Sequence, residues 1–347
     1  MTCMGTSRTI GVCIPTRNQA EFIEDALASA FCQTIAPCEV VVSDDAGTDD
    51  TEGVVESFRQ RLALPLRARL RYERNSAVLG IGGNFDRAVR LTDGDFVIKL
   101  DSDDLLERRF AEVLSRHLER SPAAGWGHCN VLNIRPDGES IGLAHTRKRS
   151  GYYDPMTALP AYLRHNDTCH CVMLRKAAYL KVGGYRPEMK TCEDWLLWLE
   201  MLLGGWGYCF DELPLARMRK YKARRELMSN RRTNFIASAR IMVSRIESVC
   251  RKNSAALGMA PDAALSRFRA ATARLCVSSG CDEGESSVRR DLFKAAYEFD
   301  PSVRTRLWLA FGPRVPAGLT RLGTILAGVP RSFARPVAQA LHLRKAP

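Results

Sequence analysis

The sequence predicts an α/β protein: a mostly parallel, Rossmann-like central sheet flanked by helices, with a helical C-terminal region. Short apolar runs alternate with helical stripes through the first hundred residues. Polar and acidic clusters stand at the ends of several of those runs. Beyond about Arg224, strand patterns give way to Ala/Arg/Ser-rich helical text. Alternating strands and helices build parallel sheets covered on both faces, and these sheets bind ligands outside the carboxyl ends of their strands.

Each element has its own signal. Thr9 to Ile14 is a buried strand that Pro15 ends. Phe22, Ile23, Ala26, Leu27, Ala30 and Phe31 fall on one helical face, with Glu21, Glu24 and Asp25 suited to the positive end. Glu39 to Ser43 is the second strand, and Thr48 is placed to cap a helix carrying Val54, Val55, Phe58 and Leu62. Leu66 to Tyr72 is a third strand, polar enough for a sheet edge. A short helix around Phe85, Ala88 and Val89 follows, with Asn84 as its cap. Phe96 to Leu100 is a fourth strand that runs straight into Asp101-Ser102-Asp103-Asp104. Residues 120 to 220 mix short strands and loops, with a helix at Trp195–Leu199 and a strand near Trp206–Phe210.

Composition narrows the function. The apolar runs, such as Leu307–Phe311, fall far short of the ~20 residues of a spanning helix. Met1 to Arg8 has one basic residue and no apolar stretch, which argues against a secretory signal. The 12 cysteines are scattered, several inside apolar runs, as in a reduced, cytoplasmic protein. Cys169-His170-Cys171 has no second ligand pair at zinc spacing. The net charge is +12, of which +8 falls on residues 301–347, a stretch with no Asp or Glu. That tail, with an amphipathic stripe upstream at Ile236, Ile241, Met242, Ile246 and Val249, fits either of two roles. It lies on an anionic membrane surface, or it packs as a helical cap on the preceding domain. No aromatic-basic platform supports a nucleic-acid partner.

The aspartate cluster carries chemistry. One aspartate is explained as a cap of a helix starting near Leu105, a role best suited to Asp104. Three carboxylates in four positions repel one another unless a cation sits among them. Mg²⁺ and Mn²⁺ prefer oxygen ligands and stabilise a diphosphate leaving group as Lewis acids.

Five segments, in order, resemble the inverting glycosyltransferase family 2, whose nucleotide-sugar-binding fold is called GT-A. They are Val12 to Asn18, Glu39 to Thr51, Asn75 to Asn84, Gly94 to Asp104, and Gly183-Gly184-Tyr185 followed by Cys192 to Trp195. The resemblance spans about residues 8 to 220 and implies a catalytic domain over 1–224. Within it, 8–104 would bind the nucleotide-sugar and 120–224 the acceptor, leaving 225–347 as a basic helical region.

The same resemblance implies roles for single residues. Pro15, Thr16 and Arg17 line the nucleobase pocket, and Asp45 accepts a hydrogen bond from the base, commonly uracil in this family. Asp103 is the direct metal ligand of an Asp-x-Asp motif, and Asp101 lies by the ribose, diphosphate and metal. Asp194 matches the catalytic base. An inverting transfer needs one carboxylate to deprotonate the acceptor hydroxyl, which supports that role independently. Glu193 and Trp195 beside it, with Trp198, would form an acceptor wall, and Gly184 a tight turn shaping the acceptor pocket. Asn84 would stand near the donor phosphates.

One segment departs from the family. A Tyr/Arg-x-His element is common after the last strand, whereas Ala216 to Arg225 contains no histidine. Either Arg219 or Lys222 replaces it at the diphosphate, or these residues form a solvated basic face. The expectation is a Mg²⁺- or Mn²⁺-dependent enzyme with a nucleotide-sugar donor, probing a glycan or lipid-linked acceptor from the cytoplasm. The rival is a non-catalytic transferase-like protein that binds nucleotide or glycan, or scaffolds an assembly.

Overall fold

The computed structural model describes residues 8–144, 148–221, 232–252, 260–282 and 286–302, with 305 and 308. Strands β1 (Ile10–Thr16), β2 (Glu39–Asp44), β3 (Leu70–Arg74) and β4 (Phe96–Lys99) form the parallel half of one sheet, in the order β3-β2-β1-β4. Beyond β4 the sheet continues through β9 (Val172–Arg175), β6 (Ala124–Ile134), β10 (Gly207–Arg219) and β5 (Leu105–Leu106). Direction reverses at β9, which runs antiparallel to both β4 and β6. Two further strands, β7 (Ser140–Ala144) and β8 (Gly151–Tyr153), pair with β6 and β10.

Helices cover both faces because the strand residues alternate. Val12, Ile14, Phe96 and Ile98 face one core with α1 (Ile23–Phe31), α2 (Thr51–Arg61) and a later helix, α5 (Phe110–Arg120). Cys13 and Val97 face the other, with α4 (Gly80–Leu91), α6 (Pro155–Tyr162), α7 (Lys176–Val182) and α8 (Glu193–Leu203). A short helix, α3 (Leu64–Arg67), occupies part of the expected third strand, so β3 starts at Leu70. Trp126 on β6 and Trp198 on α8 stack in this second core, ring centroids 5.0 Å apart and inclined by 24°.

Several local expectations change. β1 does not stop at Pro15. Cys13 accepts from Leu100 N, so odd-numbered residues of β1 point toward β4, and that ladder ends at Cys13–Lys99. The N–H that Pro15 lacks falls beyond it, and pairing with β2 runs on to Thr16–Asp44. Thr48 caps nothing: α2 begins at Thr51, and Thr48 N donates to Asn18 Oδ1 at 2.7 Å. Asn84 lies inside α4, not at its start. No helix starts near Leu105, because Leu105 and Leu106 are β5, paired to Arg217 and Ala216.

The C-terminal helices α9 (Arg232–Lys252), α10 (Pro261–Asp282) and α11 (Ser286–Phe299) share the second core. Ser238 Oγ accepts from Lys190 N and Thr191 N at 3.2 and 3.3 Å. Arg245 pairs with buried Glu200 of α8 at 2.7 Å, and Phe268 meets the Trp195 ring edge-on at 5.4 Å. The expected boundary near Arg224, Lys222, and the apolar run at 307–311 (Trp308 apart) lie outside the described residues. Among the described residues, no helix is long and apolar enough to cross a membrane.

Candidate functional site

Three residues other than glycine adopt a positive φ among the described residues: Asn18, Ala46 and Cys192. Two follow the carboxyl ends of β1 and β2, and the third opens α8. Backbone strain of this kind collects at functional loops. Asn18 Oδ1 ties the first loop to the second through Thr48 N.

The expected nucleobase residues end β1. Pro15 and Thr16 are buried and Arg17 is exposed. Among the described residues, Thr16 Oγ1 is buried with no hydrogen-bond partner, the kind of orphan a bound ligand satisfies. Asp45 is buried and already holds three donors: Asn75 Nδ2 at 2.9 Å, Leu79 N at 2.7 Å and Gly80 N at 2.9 Å. Its carboxylate therefore anchors the N-terminus of α4, filling most of the roughly four acceptor positions a carboxylate has. Asn84 accepts from Ser43 Oγ at 2.7 Å and donates to Ser43 O at 2.9 Å and Thr16 O at 3.3 Å. It is a buried tie between α4 and the two strand ends.

After β4, Asp101, Asp103 and Asp104 bring one carboxylate oxygen each within 4.8 Å of the others. An all-oxygen set of that spacing fits a hard divalent cation. Asp104 is part of the cluster rather than a helix cap, and its Oδ1 accepts from Arg219 N at 2.9 Å. The end of β10 clasps this loop. Arg219 Nε donates to Asp103 O at 3.0 Å, Nη1 to Pro136 O, and Nη2 pairs with Asp25 Oδ2 at 2.9 Å. Its guanidinium also sits over the Phe22 ring at 4.6 Å. Arg219 is thus not a solvated basic face; it is 1% exposed, and its bonds tie the Asp103-Asp104 loop to Pro136 and Asp25. Tyr221 Oη donates to Asp103 Oδ2 at 2.9 Å.

The left-handed turn at Cys192 opens α8 and puts Glu193 and Asp194 in its first turn. Asp194 Oδ2 accepts from Asn166 Nδ2 at 2.8 Å, and Oδ1 from Trp195 N at 2.7 Å. Glu193 is buried against Gly82 of α4. Trp195 and Trp198 make no acceptor wall. One turn apart on α8, both point into the core, and Trp195 Nε1 donates to Tyr162 O at 2.7 Å. Gly183 and Gly184 do form a tight turn, at φ 94° and 74°. A methyl group at Gly184 would overlap Asp86 Oδ1, so the turn closes α7 against α4 rather than opening a pocket.

Sequence reasoning missed Lys99. Strand alternation turns it, with Val97, toward α4 and α8. Its Nζ lies 3.1 Å from Asp101 Oδ1, 3.0 Å from His170 O and 4.1 Å from the centre of the Phe85 ring. Burial alone would lower this ammonium; the charges of Asp101 and Asp194 outweigh it and hold the group above its ordinary value. Its direct contacts are to Asp101 and the His170 carbonyl. The signal was a lysine inside the apolar run Phe96 to Leu100. Tyr185, stacked on Phe85 at 5.4 Å, has a buried hydroxyl without a hydrogen-bond partner among the described residues, pushed upward by burial and by Asp194, Glu193 and Asp101.

Comparison with known proteins agrees with this geometry. The family model for glycosyl transferase family 2 matches residues 11–183. An abequosyltransferase of Salmonella typhimurium is 35% identical over 112 residues, 32% of each chain. A UDP-Gal:α-D-GlcNAc-diphosphoundecaprenol β-1,3-galactosyltransferase of Escherichia coli is 26% identical over 53% of this chain and 63% of its own. The match thus spans about a third of the first relative's length and under two thirds of the second's. Among solved structures, S. aureus TarS 1–349 in complex with UDP-GlcNAc superposes with a TM-score of 0.67 at 18% identity, over 92% of this chain and 89% of that one. A Pyrobaculum calidifontis mannosyltransferase in complex with GDP-Man and Mn²⁺ gives 0.52 at 15% identity, over 93% and 89%. These two share the GT-A fold seen here.

Proposed function

The chain belongs to glycosyl transferase family 2, and on that premise we propose that it moves a hexosyl-type sugar from a UDP-sugar to an acceptor hydroxyl, with inversion, in polysaccharide or glycoconjugate biosynthesis. One observation carries the proposal. Lys99 stands 3.1 Å from Asp101 of the Asp101-Asp103-Asp104 cluster, and its ammonium feels the charges of both Asp101 and Asp194, whose carboxylate is held at both oxygens.

Asp103 and Asp101 would hold Mg²⁺ or Mn²⁺, with Asp104 beside them. When bound, the ion supplies Lewis-acid stabilisation of the departing diphosphate. Pro15, Thr16 and Arg17 bind the nucleoside, and the Thr16 hydroxyl gains the partner it lacks. Asp45 acts mainly by setting α4 under the donor. Asp194 takes the proton of the acceptor hydroxyl as that oxygen attacks the anomeric carbon opposite the diphosphate. Asn166 and Trp195 N hold its two oxygens so that one lone pair keeps its aim. The catalytic module occupies residues 1–224. The acceptor is a glycan or lipid-linked glycan, as the name of the galactosyltransferase relative supports for that enzyme. The protein works in the cytoplasm, with its basic C-terminal tail at the membrane face. The decisive experiment is a calorimetric titration of nucleoside diphosphates with Mn²⁺ and with EDTA. Metal-dependent binding of UDP is expected, and equal binding in EDTA removes the metal assignment.

A further inference from the structure

Lys99 sits where charge is costly. It is 3% exposed, inside the sheet, and a cation there needs a reason beyond folding. Its Nζ has partners on two different parts of the chain. Asp101 belongs to the loop after β4, at 3.1 Å. His170 O belongs to the loop before β9, at 3.0 Å. The same second loop carries Asn166, whose amide holds Asp194 Oδ2 at 2.8 Å. A continuous path therefore runs from Asp101 through the ammonium and the 166–170 backbone to Asp194. Phe85 closes the third side, its ring 4.1 Å from Nζ, which keeps the ammonium from turning away.

We propose that Lys99 is a positioning residue for sugar transfer: by binding Asp101 and the His170 carbonyl at once, it sets the spacing between the metal-bearing loop and the base Asp194. The proposal rests on the roles given to Asp101, Asp103 and Asp194 above. Two consequences of opposite sign follow. Without Lys99, the 166–170 loop keeps the bonds of Thr168 to Tyr162 and Asp167 to Lys148 but loses its tie to the metal-bearing loop, so the spacing between Asp101 and Asp194 is no longer set; misplacement on the order of 1 Å costs about 100-fold in rate. Yet Asp101 also loses a competing cation, so a divalent ion should bind at least as well.

The test uses the full chain and its Lys99→Met and Lys99→Arg variants. Mn²⁺ binding in the presence of UDP is followed by the loss of the free-ion EPR signal. Turnover is followed as UDP released from UDP-glucose, UDP-galactose or UDP-GlcNAc, whichever the wild type uses. For Lys99→Met the expected result is Mn²⁺ affinity equal to or a few-fold above wild type, a donor KM within about threefold, and kcat down about 10- to 100-fold. Lys99→Arg, which keeps a cation over Phe85, recovers part of kcat. Unchanged kcat in Lys99→Met overturns the proposal. So does a joint loss of Mn²⁺ binding and turnover in both variants, which makes Lys99 a fold residue only. Should Lys99→Met not fold, Lys99→Gln is judged by the same criteria. A wild-type protein that neither binds Mn²⁺ with UDP nor releases UDP defeats the transferase assignment itself, a separate result.

Discussion

The side-chain amide of Asn166 donates to Asp194 Oδ2 at 2.8 Å, while the backbone of the next residue, Trp195, holds Oδ1 at 2.7 Å. Both oxygens of the carboxylate are thereby fixed from two different elements. Asn166→Ala removes one of the two restraints. We expect kcat to fall about 10-fold with UDP affinity unchanged within about twofold, because orientation matters only in the transition state. Steady-state kinetics beside calorimetry separate the two terms, and a parallel loss of UDP affinity would move Asn166 into the donor site.

Asp194→Asn keeps the shape and the Trp195 contact but removes the proton acceptor. UDP binding with Mn²⁺ should be unaffected while transfer drops by about 10²- to 10⁴-fold. Retained turnover in this variant would place the base elsewhere.

Asp103→Ala takes one carboxylate from a cluster whose oxygens lie within 4.8 Å of one another. The loss should abolish metal-dependent UDP binding in calorimetry and leave the protein insensitive to EDTA. Its fold should survive, since the Arg219 bond to this residue goes to the backbone oxygen.

Asp45→Ala takes the acceptor from the part-buried Leu79 N and Gly80 N, and one of the two acceptors from buried Asn75 Nδ2, which keeps Asn84 Oδ1. Stability should fall by about 1–3 kcal/mol, read as a lower urea midpoint. A variant of wild-type stability with weak UDP binding would instead make Asp45 chiefly a base-recognition residue.

Much of the parallel half was legible because its strands are short, fully buried and therefore uniformly apolar. The runs at Val12–Ile14, Val40–Val42 and Phe96–Ile98 leave little choice of element. The loops after them were legible because a parallel sheet sends its functional groups to one edge. What could not be read depends on long-range pairing. β5 has two residues and exists only because β10 lies beside it, so Asp104 looked like a helix cap. Arg219 read as a diphosphate ligand or part of a solvated basic face because nothing local says that Asp25, 194 residues away, waits for it. The tryptophans of α8 looked like a sugar wall because helical spacing gives a face but not what that face meets. Asn166 stands in a segment with no periodicity at all, and only the folded chain brings it to Asp194.

The stacked pair of Trp126 and Trp198 offers an internal optical gauge. Two indoles 5.0 Å apart at a fixed 24° couple their strong far-ultraviolet transitions, giving a circular-dichroism couplet that depends on their mutual geometry. The couplet should persist through nucleotide titration, since both rings lie in the core, and collapse when that core melts. Each variant above can thus be sorted by light alone, into those that have lost a ligand and those that have lost their shape.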